Sequence, residues 1–193
     1  MLPTRLPPHQ LHALHAALDA ALTDAQPRHG WRGALTVAAV AAAATGPWRR
    51  WADLLLGTPC RPLRATLFDK PATANWWVPW HRDLVVPQQQ RHDLPGWTAW
   101  SQKDGTWYAE PPVPWRSRRV ALRIHLDACP HDAGPLRVRS GSHRHEANGD
   151  IALSMPRGAI LAMHPLLEHA SSPAAVPGRR ILHVEYAPMA MPS

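Results

Sequence analysis

The apolar positions of this chain change period partway along it. Leu11, Leu14, Leu18 and Leu22 recur at steps of three and four residues, which predicts an amphipathic helix over His9–Ala25, after a proline-rich lead-in at residues 1–8. Gly30 and Gly33 break that pattern. The Ala/Val-rich run Ala34–Ala44 predicts a second, well-buried helix. Gly46-Pro47 opens a third that ends at Gly57 and carries Trp48, Trp51, Leu54 and Leu55 on one face. From Arg61 onward the period is two. Arg64–Phe68, Trp77–Val86, Arg119–Ala128, Gly134–Val138, Ile151–Met155, Ala159–Met163 and Arg179–Tyr186 read as strands, and Asp69-Lys70-Pro71 as a turn. Residues 87–117 are polar and rich in Gly and Pro, a looped region with a hairpin signal at Asp104-Gly105. Roughly seven or eight strands behind a helical layer predict a mainly β domain, a sandwich or barrel, with helices leaning on one side.

The densest stretch is Asn75-Trp76-Trp77-Val78-Pro79-Trp80-His81-Arg82-Asp83. In an extended chain His81 and Asp83 share a face and Arg82 points away. An imidazole beside a carboxylate supplies two of the three groups of the 2-His-1-carboxylate triad that binds non-haem iron. By the same alternation Trp77 goes with His81 and Asp83 to border the pocket, and Trp76 and Trp80 face the core. His169, where the strand after Gly158 ends, is a natural second imidazole, although thirteen histidines allow other pairings. Beyond it Arg179, Ile181, His183 and Glu185 alternate with Arg180, Leu182, Val184 and Tyr186. The first face is the more polar, so Arg179 is expected in the cavity. There a guanidinium can grip a carboxylate with two parallel hydrogen bonds, with Ser171 as a second donor. Arg180 takes this role if the register slips by one residue. The remaining histidines are read as structural: His9, His12 and His15 on a solvated helix stripe, His125 and His143 hydrogen-bonded in place, and His145-Glu146 without a partner at ligand spacing.

Composition narrows the classes. The apolar fraction of 45% and charged fraction of 18% describe a globular chain, long enough at 193 residues for one domain. Cys60 and Cys129 are the only cysteines, which excludes a cysteine-rich zinc module and a disulfide framework. No run reaches the length of a membrane span, and a soluble cytoplasmic protein without a membrane partner is expected. The net charge of +7 and ten tryptophans raise an alternative, a basic β-barrel that binds nucleic acid or another polyanion. The basic residues are scattered, so a nucleic-acid partner is not expected.

Several short motifs together resemble the phytanoyl-CoA dioxygenase family of Fe(II)/2-oxoglutarate oxygenases: Phe68-Asp69-Lys70-Pro71, the Asn75–Asp83 stretch, Arg123-Ile124-His125-Leu126-Asp127, Gly134-Pro135-Leu136-Arg137-Val138, Gly141-Ser142-His143-Arg144, His169-Ala170-Ser171-Ser172 and Gly178-Arg179-Arg180. The resemblance implies a double-stranded β-helix, a jelly-roll or cupin-like barrel flanked by helices, with residues 1–58 as helical flank and 59–188 as core of a single oxygenase domain. It implies His81, Asp83 and His169 as iron ligands, Arg179 and Ser171 on the far carboxylate of 2-oxoglutarate, and Arg123 in contact with co-substrate or substrate. The implied reaction consumes dioxygen, converts 2-oxoglutarate to succinate and hydroxylates a small molecule; Asp83 distinguishes the chain from related halogenases, which lack the carboxylate. Arg82 stands where the family carries Gln, Ser140 where its loop carries Pro, and the short segment from Arg144 to Ile151 implies a minimal lid.

Overall fold

Proline and glycine delimit the helices. The computed structural model describes residues 5–22, 30–71, 76–144, 148–176 and 178–192. Helix α1 spans Pro8–Ala21, α2 Ala38–Thr45 and α3 Pro47–Leu56. Pro8 and Pro47 sit in the first turn, where a missing N–H costs nothing. Gly57 ends α3 in the left-handed conformation that a side chain would resist. Three expectations are corrected. Helix α1 stops at Ala21, and residues 23–25 of its expected span lie outside the described residues. Ala34–Ala44 divides into a 3-10 turn at Ala34–Thr36 and α2, of which only Val40 and Ala44 are buried. On α3 the buried stripe is Trp48 and Ala52; Leu54 falls off it, Leu55 lies in the last turn, and both are exposed.

Strands β1 (Cys60–Lys70), β11 (Arg179–Pro188), β6 (Val120–His125) and β9 (Ile160–Met163) form an antiparallel major sheet in that order. A minor sheet runs β2 (Val78–His81), β10 (His169–Ser171), β7 (Leu136–Ser140), β8 (Asn148–Leu153). A third sheet, β3 (Val86–Gln88), β5 (Thr106–Glu110), β4 (Thr98–Lys103), is followed by the short helix α4 (Val113–Arg116). The major and minor sheets face each other across a cavity, and the helices cover the outer side of the major sheet. This is the double-stranded β-helix with a helical flank, built as two opposed sheets and not as a closed ring of strands.

Alternation on the major sheet explains the layering. Leu122, Ile124 and Leu126 point outward with Leu182, Val184 and Tyr186, and pack against Leu11, Leu14, Leu18, Val40 and Trp48. Each such leucine contributes about 1.5–3 kcal/mol by leaving water. The Tyr186 hydroxyl donates to Ala44 O at 3.0 Å, so its one polar atom is satisfied where the ring is fully buried. The residues between them face inward and carry the chemistry.

The strand region departs from the sequence reading in specific ways. Asp69 and Lys70 continue β1 instead of turning, and Lys70 is buried with its ammonium donating to Trp76 O and Ser172 O. Trp77–Val86 is not one strand: β2 ends at His81, and Val86 begins β3 in a different sheet. Residues 87–117 hold the third sheet instead of a loop. Its hairpin does turn at Asp104-Gly105, whose φ values of 51° and 76° are both in the region a two-residue turn requires. Eleven strands are described in place of seven or eight.

Gly134 precedes β7 at φ 62°, and a Cβ there would stand 2.4 Å from Ser172 O, just past β10. Gly134→Ala therefore combines left-handed strain with a backbone clash. We expect a loss of at least about 1–3 kcal/mol, read as a lower urea midpoint with the same m-value; an unchanged midpoint would show that the β10 end yields freely.

Candidate active site

Strand pairing builds the centre of the cavity. In the β2–β10 pair the Cα partners are His81 with His169 and Val78 with Ser171, so Pro79 and Trp80 of β2 stand against the single Ala170 of β10. This bulge reverses the side-chain parity of β2. Trp76, Val78, His81 and Asp83 all line the cavity, while Trp77 is 64% exposed. The expectation that Trp77 borders the pocket fails for that reason, and Trp76 takes the place. Asn75 lies outside the described residues.

His81, Asp83 and His169 each offer one ligand atom, all within 4.8 Å of one another. The His81 Nε2–Asp83 Oδ1 distance is 3.7 Å, the His169 Nε2–Asp83 Oδ2 distance 3.6 Å, and the two imidazoles lie 4.2 Å apart by ring centre. The Nδ1 of His81 donates to Pro79 O and that of His169 to Leu167 O, both at 2.8 Å. A carbonyl can only accept, so each neutral ring carries its proton on Nδ1 and turns the Nε2 lone pair inward. Burial pushes His169 toward its neutral form, against the pull of Asp83. Two neutral imidazoles and a carboxylate with fixed tautomers are the donor set that a divalent first-row metal takes. The donor set fits iron.

Arg179 opens β11 opposite Lys70, is buried and lines the same cavity. Among the described residues its Nη1 reaches only the Cys129 thiol, at 3.9 Å, and its Nε has no partner. Burial lowers its affinity for its own proton, which marks a cation held out of water without full compensation. A carboxylate is the group that would complete it. Arg180 faces the helices, where it pairs with Asp127 and Asp19. Ser171 lines the cavity from β10. Arg123 lies across from Phe68, its Nη1 donates to His183 Nδ1 at 3.2 Å, its Nε is unpartnered, and burial lowers its pKa to about 10. That contact leaves the His183 proton on Nε2, 3.8 Å from Asp83 Oδ2, and burial with the Arg123 charge lowers the His183 pKa to about 3. The cavity of about 120 Å³ also receives Arg64, Thr66 and Glu185. Sequence reasoning placed His183 and Glu185 on the inward face without giving them a role, and overlooked Arg64 and Lys70. The single signal for Arg64 was alternation along β1.

Three histidines correct the structural reading. His15 is buried, not solvated: its Nε2 donates to Leu126 O at 2.7 Å, docking α1 on the sheet. His125 is buried without a partner on either ring nitrogen, so it is not held by hydrogen bonds, and His143 likewise has an unpartnered Nδ1. Of the others, His145 and Glu146 lie outside the described residues. Burial, reinforced by Arg123 and Arg179, lowers the His125 pKa to about 3 from the usual 6.5. Below about pH 6.5 the unfolded chain takes up a proton that the folded chain refuses, so this contribution to stability is present at neutral pH and is lost as pH falls toward about 3. Going from about pH 7 to about pH 5, wild type should lose up to about 2 kcal/mol more than His125→Met. Equal losses in urea melts of the two proteins would show that His125 titrates normally.

A model of the phytanoyl-CoA dioxygenase family matches residues 2–181. The chain belongs to that family. As a phytanoyl-CoA dioxygenase family member it is a 2-oxoglutarate-dependent oxygenase, with Fe(II) and 2-oxoglutarate as cofactor and co-substrate. Among solved structures, AviO1 from Streptomyces viridochromogenes Tue57 is 18% identical with a TM-score of 0.68, covering 98% of this chain and 89% of AviO1. SnoN, a non-heme α-ketoglutarate-dependent epimerase from nogalamycin biosynthesis, is 15% identical with a TM-score of 0.69, covering 97% and 76%. HygX from Streptomyces hygroscopicus, with nickel and 2-oxoglutarate bound, is 15% identical with a TM-score of 0.64, covering 99% and 82%. At these identities the likeness is one of fold. No curated protein matches the sequence. No helix among the described residues is long and apolar enough to cross a membrane.

Proposed function

We propose that this family member hydroxylates a small organic molecule, with His81, Asp83 and His169 as the iron ligands and Arg179, assisted by Ser171, as the anchor of the far carboxylate of 2-oxoglutarate. The observation that carries the reading is the conjunction in one cavity of a fixed-tautomer ligand trio and a buried, incompletely partnered arginine. Arg123 is assigned a contact with co-substrate or substrate. The chemistry supplied by the bound metal and 2-oxoglutarate is reductive activation of dioxygen, with succinate and carbon dioxide as products and one oxygen atom delivered to a substrate C–H bond.

The residues of the chain do the rest. Pro79 O and Leu167 O hold the imidazole protons away from the metal side. Lys70 ties the segment before His81 to the segment after Ser171 through Trp76 O and Ser172 O, which braces the two ligand-bearing strands. Phe68, Val78, Leu136 and Ala170 give the cavity apolar walls that exclude water and strengthen the electrostatics within it.

We assign the chain to one oxygenase domain, residues 1–58 as flank and 59–188 as core, on the apolar cluster that joins helices to major sheet without a break. Small-molecule substrate and dioxygen are its partners. A nucleic-acid partner is not assigned: Arg137 and Arg139, which flank Trp80, are paired with Asp150 and Glu168. The two buried free thiols suit the cytoplasm. The test is succinate release from 2-oxoglutarate across a metabolite collection, with product mass determined. Gain of one oxygen atom supports hydroxylation. A product of unchanged mass would replace it with isomerisation, an outcome that SnoN, described as an epimerase, shows the fold to admit.

A further inference from the structure

We propose that the buried Arg64–Glu185 pair is the substrate-recognition subsite of this cavity, and that the substrate offers it a hydrogen-bond donor, an amine or a hydroxyl. The enzyme then acts on a polar small molecule and not on an acyl chain. The inference rests on the oxygenase reading for the direction in which the cavity is used.

Register sets that direction. Arg179, His183 and Glu185 share the inward face of β11, with Arg179 at its start and Glu185 toward its far end. At about 3.3 Å per residue the two ends stand about 20 Å apart. His183 lies between them, its Nε2 3.8 Å from Asp83 Oδ2 and 3.8 Å from Glu185 Oε1. The ligand trio therefore divides the cavity. A co-substrate gripped by Arg179 fills one half, and the half bounded by Arg64 and Glu185 is left for substrate.

Glu185 is 3% exposed, and its Oε1 accepts from Nε of Arg64 at 2.9 Å and from Nη2. Its Oε2 is buried with no donor among the described residues. The residue opposite on β6 is Ala121, which has nothing to offer it. A buried carboxylate oxygen without a donor is costly, and a ligand amine or hydroxyl would satisfy it. An alkyl chain would leave it unsatisfied and dry. A second observation points the same way. Arg64 also lines an adjoining cleft of about 400 Å³ with Trp31, Lys103 and Tyr108, and its guanidinium lies 5.3 Å from the Tyr108 ring centre. The pair thus stands between the metal cavity and an open cleft able to hold the remainder of a larger polar molecule.

The test uses nickel-loaded full-length protein and three probes, putrescine, glycerol and hexanoate, followed by ligand-detected NMR and thermal shift. Putrescine and glycerol should bind wild type in preference to hexanoate. Both should weaken about tenfold or more in Arg64→Met/Glu185→Leu, which removes the ion pair as a unit and keeps the site neutral. Glu185→Gln keeps the shape and separates the two donors. The single Gln oxygen stays with Arg64 and its NH2 faces the probe, so glycerol, whose hydroxyl can turn and accept, is retained, and putrescine, a donor only, is lost. Equal binding by wild type and double variant, preference for hexanoate, or no binding of either donor probe to wild type overturns the subsite. The same samples are titrated with 2-oxoglutarate. No 2-oxoglutarate-induced rise in Tm for wild type defeats the oxygenase reading, whereas a retained rise with donor binding indifferent to Glu185 defeats the subsite alone.

Discussion

Asp83→Ala should abolish Fe(II) binding and with it the weak visible charge-transfer band that Fe(II) and 2-oxoglutarate give together under anaerobic conditions. Asp83 is the one anion of the trio, and the two imidazoles it leaves behind are neutral donors with fixed tautomers. Glu185 offsets Arg64 in the cavity, but Arg123 and Arg179 have no carboxylate of their own there, so without Asp83 a dication would enter a field that repels it. Loss of a partner behind a metal ligand already costs about 10–100-fold in affinity; loss of the charged ligand should exceed about 100-fold. Folding should be disturbed less. The backbone N–H of Asp83 keeps its bond to Pro165 O at 2.8 Å, whatever the side chain. His81→Ala should also weaken binding but leave the charge balance intact, so the Asp83 variant should be the worse of the two. An Asp83→Ala protein that binds Fe(II) as wild type does, with its band unchanged, would remove the metal assignment altogether.

Much of the site could be read from spacing because strand alternation is local physics. Arg179 and Arg180 were separated by parity alone, and the outward run Leu182, Val184, Tyr186 does bury itself under the helices. His81 and Asp83 do line one cavity, but β2 ends at His81, so strand alternation is not what brings Asp83 there. What could not be read was whatever depends on pairing. The bulge that sends Trp77 outward and Trp76 inward exists only where β2 meets β10, and no residue in the stretch announces it. Lys70 illustrates the same limit. Its Asp-Lys-Pro sequence favours a turn, yet pairing of Lys70 with Arg179 extends β1 to that point, and two carbonyls from distant segments make a buried ammonium tolerable. Residues 87–117 were polar enough to look like loop, because β4, at the edge of their sheet, exposes four of its six side chains. Helix α1 was expected to run on because Leu22 continues the apolar period, although its backbone is already extended at ψ 128°.

Arg179→Met should raise the 2-oxoglutarate requirement by a factor corresponding to about 2–5 kcal/mol, the range for truncating one partner of a buried charged hydrogen bond. The same change should leave the Tm of the ligand-free protein unchanged or higher. The guanidinium is buried with an unpartnered Nε, and burial works against its charge, so the folded protein holds it at a cost that only an anion offsets. A variant that gains or keeps stability while losing co-substrate affinity is the signature of a residue kept for binding. Arg179→Lys should recover only part of the affinity, because an ammonium cannot make the paired contacts of the guanidinium fork. Arg180→Ala is the contrasting control. Its contacts to Asp19, Asp127 and His15 hold α1 against the sheet. Asp19 is largely exposed, so the expected stability loss is about 0–1 kcal/mol. Its 2-oxoglutarate requirement should match wild type. If the steep rise appeared in Arg180→Ala instead, the anchor would have to lie on the helix side of β11, where Leu182, Val184 and Tyr186 leave no cavity for it.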